Sequence, residues 1–261
     1  SPMYGFIQIF KQEIFCLFIS PATYVSTFYF VSLIGICFRF FLEHFSGTNW
    51  ILPPLSSLMV GLLFCSPGII PFLTMRSFSE ERKLGTLHVL MTAPVSPLAL
   101  VLGKWVASLM LLFTIFGLTF CYPILTTLLF PEQSLFLEFD NLAQWASIII
   151  FLFFYGASFT AIGIFSSTLT KNQMVSGMLT FTLISIYLAI MTFSYETAVN
   201  YNDSINAVEM IITALHSTFN GLAKIDHFSL GLVDLKSILH QLLVTIFFLF
   251  FSVLRIERLR K

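Results

Sequence analysis

The chain has 261 residues, of which 57% are hydrophobic and only 10% charged; its net charge is zero and its mean hydropathy is +0.91. Too little polar surface is available to cover a soluble globule of this size, so the composition excludes a water-soluble enzyme and requires a lipid bilayer as the first partner. No basic patch with interleaved aromatics occurs, which argues against nucleic acid. The four cysteines, Cys16, Cys37, Cys65 and Cys121, lie in or beside apolar runs without C-x-x-C spacing and are read as small core residues.

Residues 3–19 place Met3, Phe6, Ile7, Phe10, Ile14 and Leu17 on one helical face with Gln8 and Gln12 opposite, the pattern of a helix lying in the membrane interface. Apolar runs long enough to cross a hydrocarbon core of about 30 Å follow at about 21–41, 52–75, 98–121, 142–169, 174–193 and 238–254. Arg39, near the far end of the first span, is expected to snorkel or to pair with Glu43. Pro53, Pro54, Pro67 and Pro71 should bend the second span or break its hydrogen-bond ladder. The third either ends near Cys121 or continues past Tyr122-Pro123 to Phe130. Lys104, two turns inside its start, is read as snorkelling to the near surface, with a place on a substrate path as the rival reading. On the fourth span Gly156, Thr160, Gly163 and Ser167 share a face at spacings of four, three and four, a seam of small residues along which helices approach closely in lipid. Residues 194–237 form a polar insertion in which Val208, Ile211, Ile212, Leu215 and Phe219 keep helical spacing, the pattern of a helix lying on the outer surface. The fold class is therefore an all-α integral membrane protein: six transmembrane helices, an N-terminal interfacial helix, and an extracytoplasmic helical insertion before the last span.

Residues 76–94 hold the densest charge before the C-terminus. Glu80 and Glu81, then Arg82 and Lys83, then Gly85 read as a short helix closed by a left-handed glycine, with the charges ordered to suit the helix dipole. Thr86 can cap a second short helix carrying Leu87, Val89, Leu90 and Met91 and stopped by Pro94. A capping box at Ser77-x-x-Glu80 is a rival, placing the break before Glu80. With both termini cytoplasmic, ten of the thirteen basic residues fall on the cytoplasmic side and Arg39, Lys224 and Lys236 fall outside. That bias follows the positive-inside rule and puts residues 76–94 in the cytoplasm.

Nothing in the sequence supports catalysis. There is no H-E-x-x-H and no G-x-S-x-G, and Gly103-Lys104 lacks the upstream glycine of a phosphate-binding loop and is followed by Trp105 where Ser or Thr is required. No catalytic, cofactor or metal residue is assigned.

The stretch from Arg76 through Glu80-Glu81-Arg82-Lys83-Leu84-Gly85-Thr86-Leu87 to Thr92-Ala93-Pro94-Val95-Ser96, followed by Leu102-Gly103-Lys104, resembles the cytoplasmic signature of ABC-2 type permease subunits. A second patch, His227 to Lys236, is similar to the outer segment of the gliding-motility-associated (GldF-like) and NosY-like permeases. His88 departs from the pattern, because many members carry an acidic residue there. The resemblance implies a permease of the cell inner membrane, pairing with separate ABC ATPase (nucleotide-binding) subunits that bind ATP and Mg, and with a second permease subunit, identical or homologous. It also leaves room for an extracytoplasmic partner. Residues 76–94 would then be the coupling region, with Glu80, Glu81, Arg82, Lys83, Gly85, Thr86, Leu87, Leu90 and Met91 meeting the ATPase, and Gly156, Thr160 and Gly163 are a candidate contact between permease subunits. Export is the favoured direction. A six-span channel or scaffold subunit without transport coupling is the alternative.

Overall fold

The computed structural model describes residues 2–47, 54–87, 96–129, 142–199, 227–228 and 231–260, and among these every regular element is an α-helix. In chain order they are α1 (Pro2–Ile19), α2 (Pro21–Gly47), α3 (Pro54–Thr74), α4 (Ser79–Leu84), α5 (Pro97–Thr119), α6 (Cys121–Leu129), α7 (Leu142–Leu169), α8 (Gln173–Val199) and α9 (Leu235–Arg260). Six stretches are long and apolar enough to cross a membrane: Pro21–Glu43, Leu58–Leu84, Pro97–Thr126, Leu142–Leu169, Gln173–Thr192 and Leu235–Leu259. The third span does run past Cys121, with one break at Phe120 between α5 and α6. The expected surface helix around Val208–Phe219 and the loop at 130–141 lie outside the described residues.

The six spans divide into inner and outer sets. In α7, 72% of the apolar window is buried, against 17% in α2, and α3 and α5 resemble α7 in this respect while α8 and α9 resemble α2. α7 is the central post, packed against α3, α5, α8 and α9. Its buried hydroxyls would be costly in a dry bundle, but each is satisfied within the helix: Ser147, Ser158, Thr160, Ser166, Ser167 and Thr168 all donate to a carbonyl three or four residues back.

Small residues set how closely the posts approach. A Cβ on Gly163 would stand 2.8 Å from Thr74 Cβ of α3, and one on Gly156 would stand 3.1 Å from Leu112 Cδ2 of α5. The seam of Gly156, Thr160, Gly163 and Ser167 is therefore a packing seam, but it is spent inside the chain on α3 and α5, with Thr160 and Ser167 fully buried. The reading that assigned it to a subunit contact is corrected on that ground.

α3 stays continuous through Pro67 and Pro71. Pro67 cannot donate to the carbonyl of Leu63, and the Ser66 hydroxyl takes its place at 2.6 Å. Outside the membrane core, Asp234 accepts from the amides of Lys236 and Ser237 and so starts α9 at Leu235. Phe228 reaches back to α7, where its ring packs at a tilt against Phe151, centroids 5.1 Å apart, and its carbonyl accepts from Ser147 at 2.6 Å. The Tyr122 hydroxyl donates to Val31 O at 2.8 Å and ties α6 to α2. Arg39 pairs with Glu43 at 3.0 Å on an exposed face, as expected. The cysteines depart from their reading as core residues: Cys16 and Cys121 are exposed on the outside of the bundle.

Because Thr74 leaves no room for a side chain at position 163, Gly163→Val should lower the unfolding midpoint in detergent, at a cost of about 1–3 kcal/mol. Gly117→Val, where an added Cβ meets nothing within 4 Å, should unfold close to wild type in the same thermal scan.

Candidate functional site

The charged stretch after α3 folds as a compact knot. The chain turns at residues 75–78, α4 begins at Ser79 and ends at Leu84, and Gly85 closes it with φ 73°, a left-handed conformation that glycine adopts without steric cost. Glu80 and Glu81 occupy its first turn and Arg82 and Lys83 its last. The rival capping box is not formed: Phe78 sits at the N-cap and the buried Ser77 hydroxyl has no hydrogen-bond partner. Helix resumes at Thr86 and Leu87 directly after Gly85, where the second short helix was expected to begin, and the Thr86 hydroxyl donates back to Glu81 O at 3.3 Å.

The centre of the knot is Lys104 of α5. Its ammonium lies 2.7 Å from Glu13 Oε2 of α1 and 2.8 Å from Glu81 Oε1 of α4, with the Lys104 side chain only 3% exposed. The ring of Phe78 lies beneath it, with its centroid 5.3 Å from Nζ. Lys104 is thus neither snorkelling nor set on an open path, because two carboxylates and an aromatic face supply inside the bundle what the headgroups would have supplied outside. Glu13 reaches it because α1 lies unusually close to α5: a Cβ on Gly103 would stand 3.0 Å from Ile9 Cγ2.

The other members of the stretch are placed as follows. Arg82 Nη1 donates to Thr168 O at 2.5 Å, satisfying one of the last carbonyls of α7 with a cation at the negative end of the helix. Leu87 is 3% exposed, packed with Phe78, Leu100, Val101, Ile164 and Ile256 of α5, α7 and α9, so within this chain its side chain is an anchor. Lys83, Leu84, Gly85 and Thr86 are exposed, and Glu80 is partly so. Leu90 and Met91, with the rest of 88–95, lie outside the described residues. Among the described residues no group of His, Cys, Asp and Glu is arranged to hold a metal ion.

The knot therefore joins the N-terminal helix to three spans through one ion triad, one arginine cap and one apolar cluster. Sequence reasoning singled out Glu81 and Arg82 but not Glu13, and it placed Lys104 at the surface. Glu13 and Lys104 stand 91 residues apart, and the only local signal joining them is Gly103, whose missing side chain admits α1.

Against known protein families, residues 55–254 match the model of the ABC-2 family transporter protein. The chain belongs to this family. Most of the chain is covered, from α3 into α9, so the knot of α4 and Lys104 lies within the ABC-2 match. No curated protein matches the chain. Membership and the six apolar helices together make it a multi-pass membrane protein, and ABC-2 membrane domains normally work with ATP-binding subunits.

In this ABC-2 chain the triad is a load shared between two carboxylates and one cation. Lys104→Met should leave the carboxylates facing each other unpaired and cost about 3–5 kcal/mol, seen as a lower unfolding midpoint in detergent. Adding Glu13→Gln and Glu81→Gln should recover most of the loss, and a single variant as stable as wild type would show that the charge is not buried.

Proposed function

We propose that the chain is the membrane subunit of an export transporter of the cell inner membrane, closest in kind to the gliding-motility-associated and NosY-like permeases. In this reading both termini are cytoplasmic and a separate ABC ATPase supplies the ATP, with its Mg, that drives a pair of such permeases. The observation that carries the reading is the Lys104–Glu13–Glu81 triad. A solvated loop between two spans has no use for a buried charge network, whereas a loop that must transmit force needs rigid attachment to the elements it moves.

The attachment is threefold. The triad fastens α4 to α1 and α5, Arg82 fastens it to the end of α7, and Leu87 fastens the following stub to α5, α7 and α9. Domain closure in a docked ATPase would move α4, and the spans would follow because the triad, the Arg82 cap and the Leu87 cluster tie them to the knot. The docking face is then the exposed ridge of Lys83, Leu84, Gly85 and Thr86 together with the stretch that holds Leu90 and Met91, while Glu81 and Leu87 serve as anchors behind it. Leu84, at 67% exposed, is the apolar residue on this ridge best placed to enter a cleft of the partner. The apolar outer faces of α2 and α8, including Phe28 and Ile186, remain for the second permease, since the small-residue seam is already occupied.

Leu84→Asp should leave the chain folded, because the side chain is 67% exposed, yet weaken copurification with the nucleotide-binding subunit by about tenfold. Copurification at the wild-type level would remove the ridge as the docking face. The triple variant Lys104→Met, Glu13→Gln, Glu81→Gln should retain docking but lose most transport-linked ATP turnover in reconstituted vesicles. Full turnover in that folded variant would refute the transmission role. The permease purified free of its partner should show no ATPase activity.

A further inference from the structure

Beside the triad lies a second space, a cavity of about 570 Å³ enclosed by α1, the start of α2, the end of α3, α4 and the start of α5. Because it is bounded by the ends of three spans and by the helix that lies along them, it stands at headgroup depth in the bilayer. Glu13, Arg76, Glu80, Glu81 and Lys104 line it. Two of these charges do not belong to the triad. Arg76 gives one N–H to Ser20 Oγ at 3.0 Å and has no carboxylate partner, and Glu80 has no cation partner among the described residues. They line the same cavity without pairing with each other. Glu81 Oε2 is a further buried oxygen with no partner.

An unpaired cation and an unpaired anion set one turn apart along the cavity wall, with Glu80 N bonded to Arg76 O and the side chains not paired, match a ligand carrying both charges a short spacer apart. The five charges lining the cavity sum to one negative, which disfavours a ligand that is only an anion. Carboxylates without donors call for an ammonium that can hydrogen-bond, a demand met by a primary amine and not by a quaternary one.

The cavity also has an apolar continuation. A groove of about 910 Å³ runs between α2, α3 and α8, lined by Tyr29, Phe64, Phe181 and Leu188 among others, and Ala22 and Phe72 line both spaces. A molecule with its head in the polar cavity passes Phe72, itself 53% exposed, straight into the groove. We infer that this composite site binds a phospholipid with a phosphate and primary-amine headgroup, such as phosphatidylethanolamine. Arg76 holds the phosphate, Glu80 holds the amine, and an acyl chain lies along α2, α3 and α8. The inference needs only that the chain resides in a membrane, and it stands whether or not the coupling reading above is right.

The full chain is reconstituted in phosphatidylcholine nanodiscs containing equal amounts of phosphatidylethanolamine and phosphatidylglycerol. It is then extracted into detergent, and the retained lipid is read by native mass spectrometry. Phosphatidylethanolamine should be retained about tenfold over either other lipid, the gain expected from charge-assisted hydrogen bonds that choline cannot make. Arg76→Gln and Glu80→Gln should each abolish that preference, while Lys171→Gln, in the exposed turn between α7 and α8, should keep it. Soluble phosphoethanolamine should fail to displace the lipid at equal concentration. Because Arg76 also holds Ser20, Glu80→Gln decides the matter if Arg76→Gln elutes as unfolded protein. Equal retention of the three lipids, preference for phosphatidylglycerol, an undiminished preference in folded Glu80→Gln, or displacement by the soluble headgroup would each overturn the inference.

Discussion

Lys104 carries its charge inside the bundle, with its side chain only 3% exposed. A cation at that depth is tolerable only if carboxylates are delivered to it with good geometry, and here they come from the N-terminal helix and from α4. That requirement dictates much of the surrounding structure. α1 must lie against α5, so position 103 is glycine; α4 must begin at Ser79, so the rival capping box is given up; and Phe78 is buried beneath the ammonium. The net stability of such a network is modest, since desolvation offsets most of the attraction. What the network adds is specificity, because any arrangement that separates α1, α4 and α5 leaves a bare charge in a dry interior.

The knot and the bundle depend on opposite chemistries. Within the bundle, association in lipid relies on close backbone approach, and α7 supplies it with glycines and with hydroxyls that satisfy themselves on their own helix. At the end of the bundle that holds α4 there is enough polarity to make ions useful, and the same α7 ends in a carbonyl that Arg82 caps. The central post is therefore gripped at its middle by packing and at its end by charge. Arg82 and the apolar cluster around Leu87 and Ile164 join it to α4 and the stub that follows.

Burial also separates residues that look alike on paper. Glu80 and Glu81 are adjacent, yet Glu81 faces Lys104 and Glu80 faces the neighbouring cavity. Leu84 and Leu87 are three apart, yet one is exposed and the other fully engaged, because the left-handed Gly85 breaks the helix between them. The charged stretch after α3 thus has an anchoring side and an exposed side.

Composition and run length by themselves determined that this is a helical membrane protein with six spans, because apolar stretches of that length admit no other solution in lipid. Local rules likewise determined the glycine stop at Gly85, the Arg39–Glu43 pair and the extent of the fourth span, since each depends on neighbours within a turn or two. The partners of Lys104, the inward turn of Leu87 and the internal use of the Gly156–Gly163 seam were decided only by tertiary structure. Each depends on which helix lies alongside, and a small-residue face is equally suited to a neighbour in the same chain or in another. A lysine one-third of the way along the chain cannot reveal from its own surroundings that a glutamate 91 residues earlier will reach it; that follows from the close approach of α1 to α5 over Gly103.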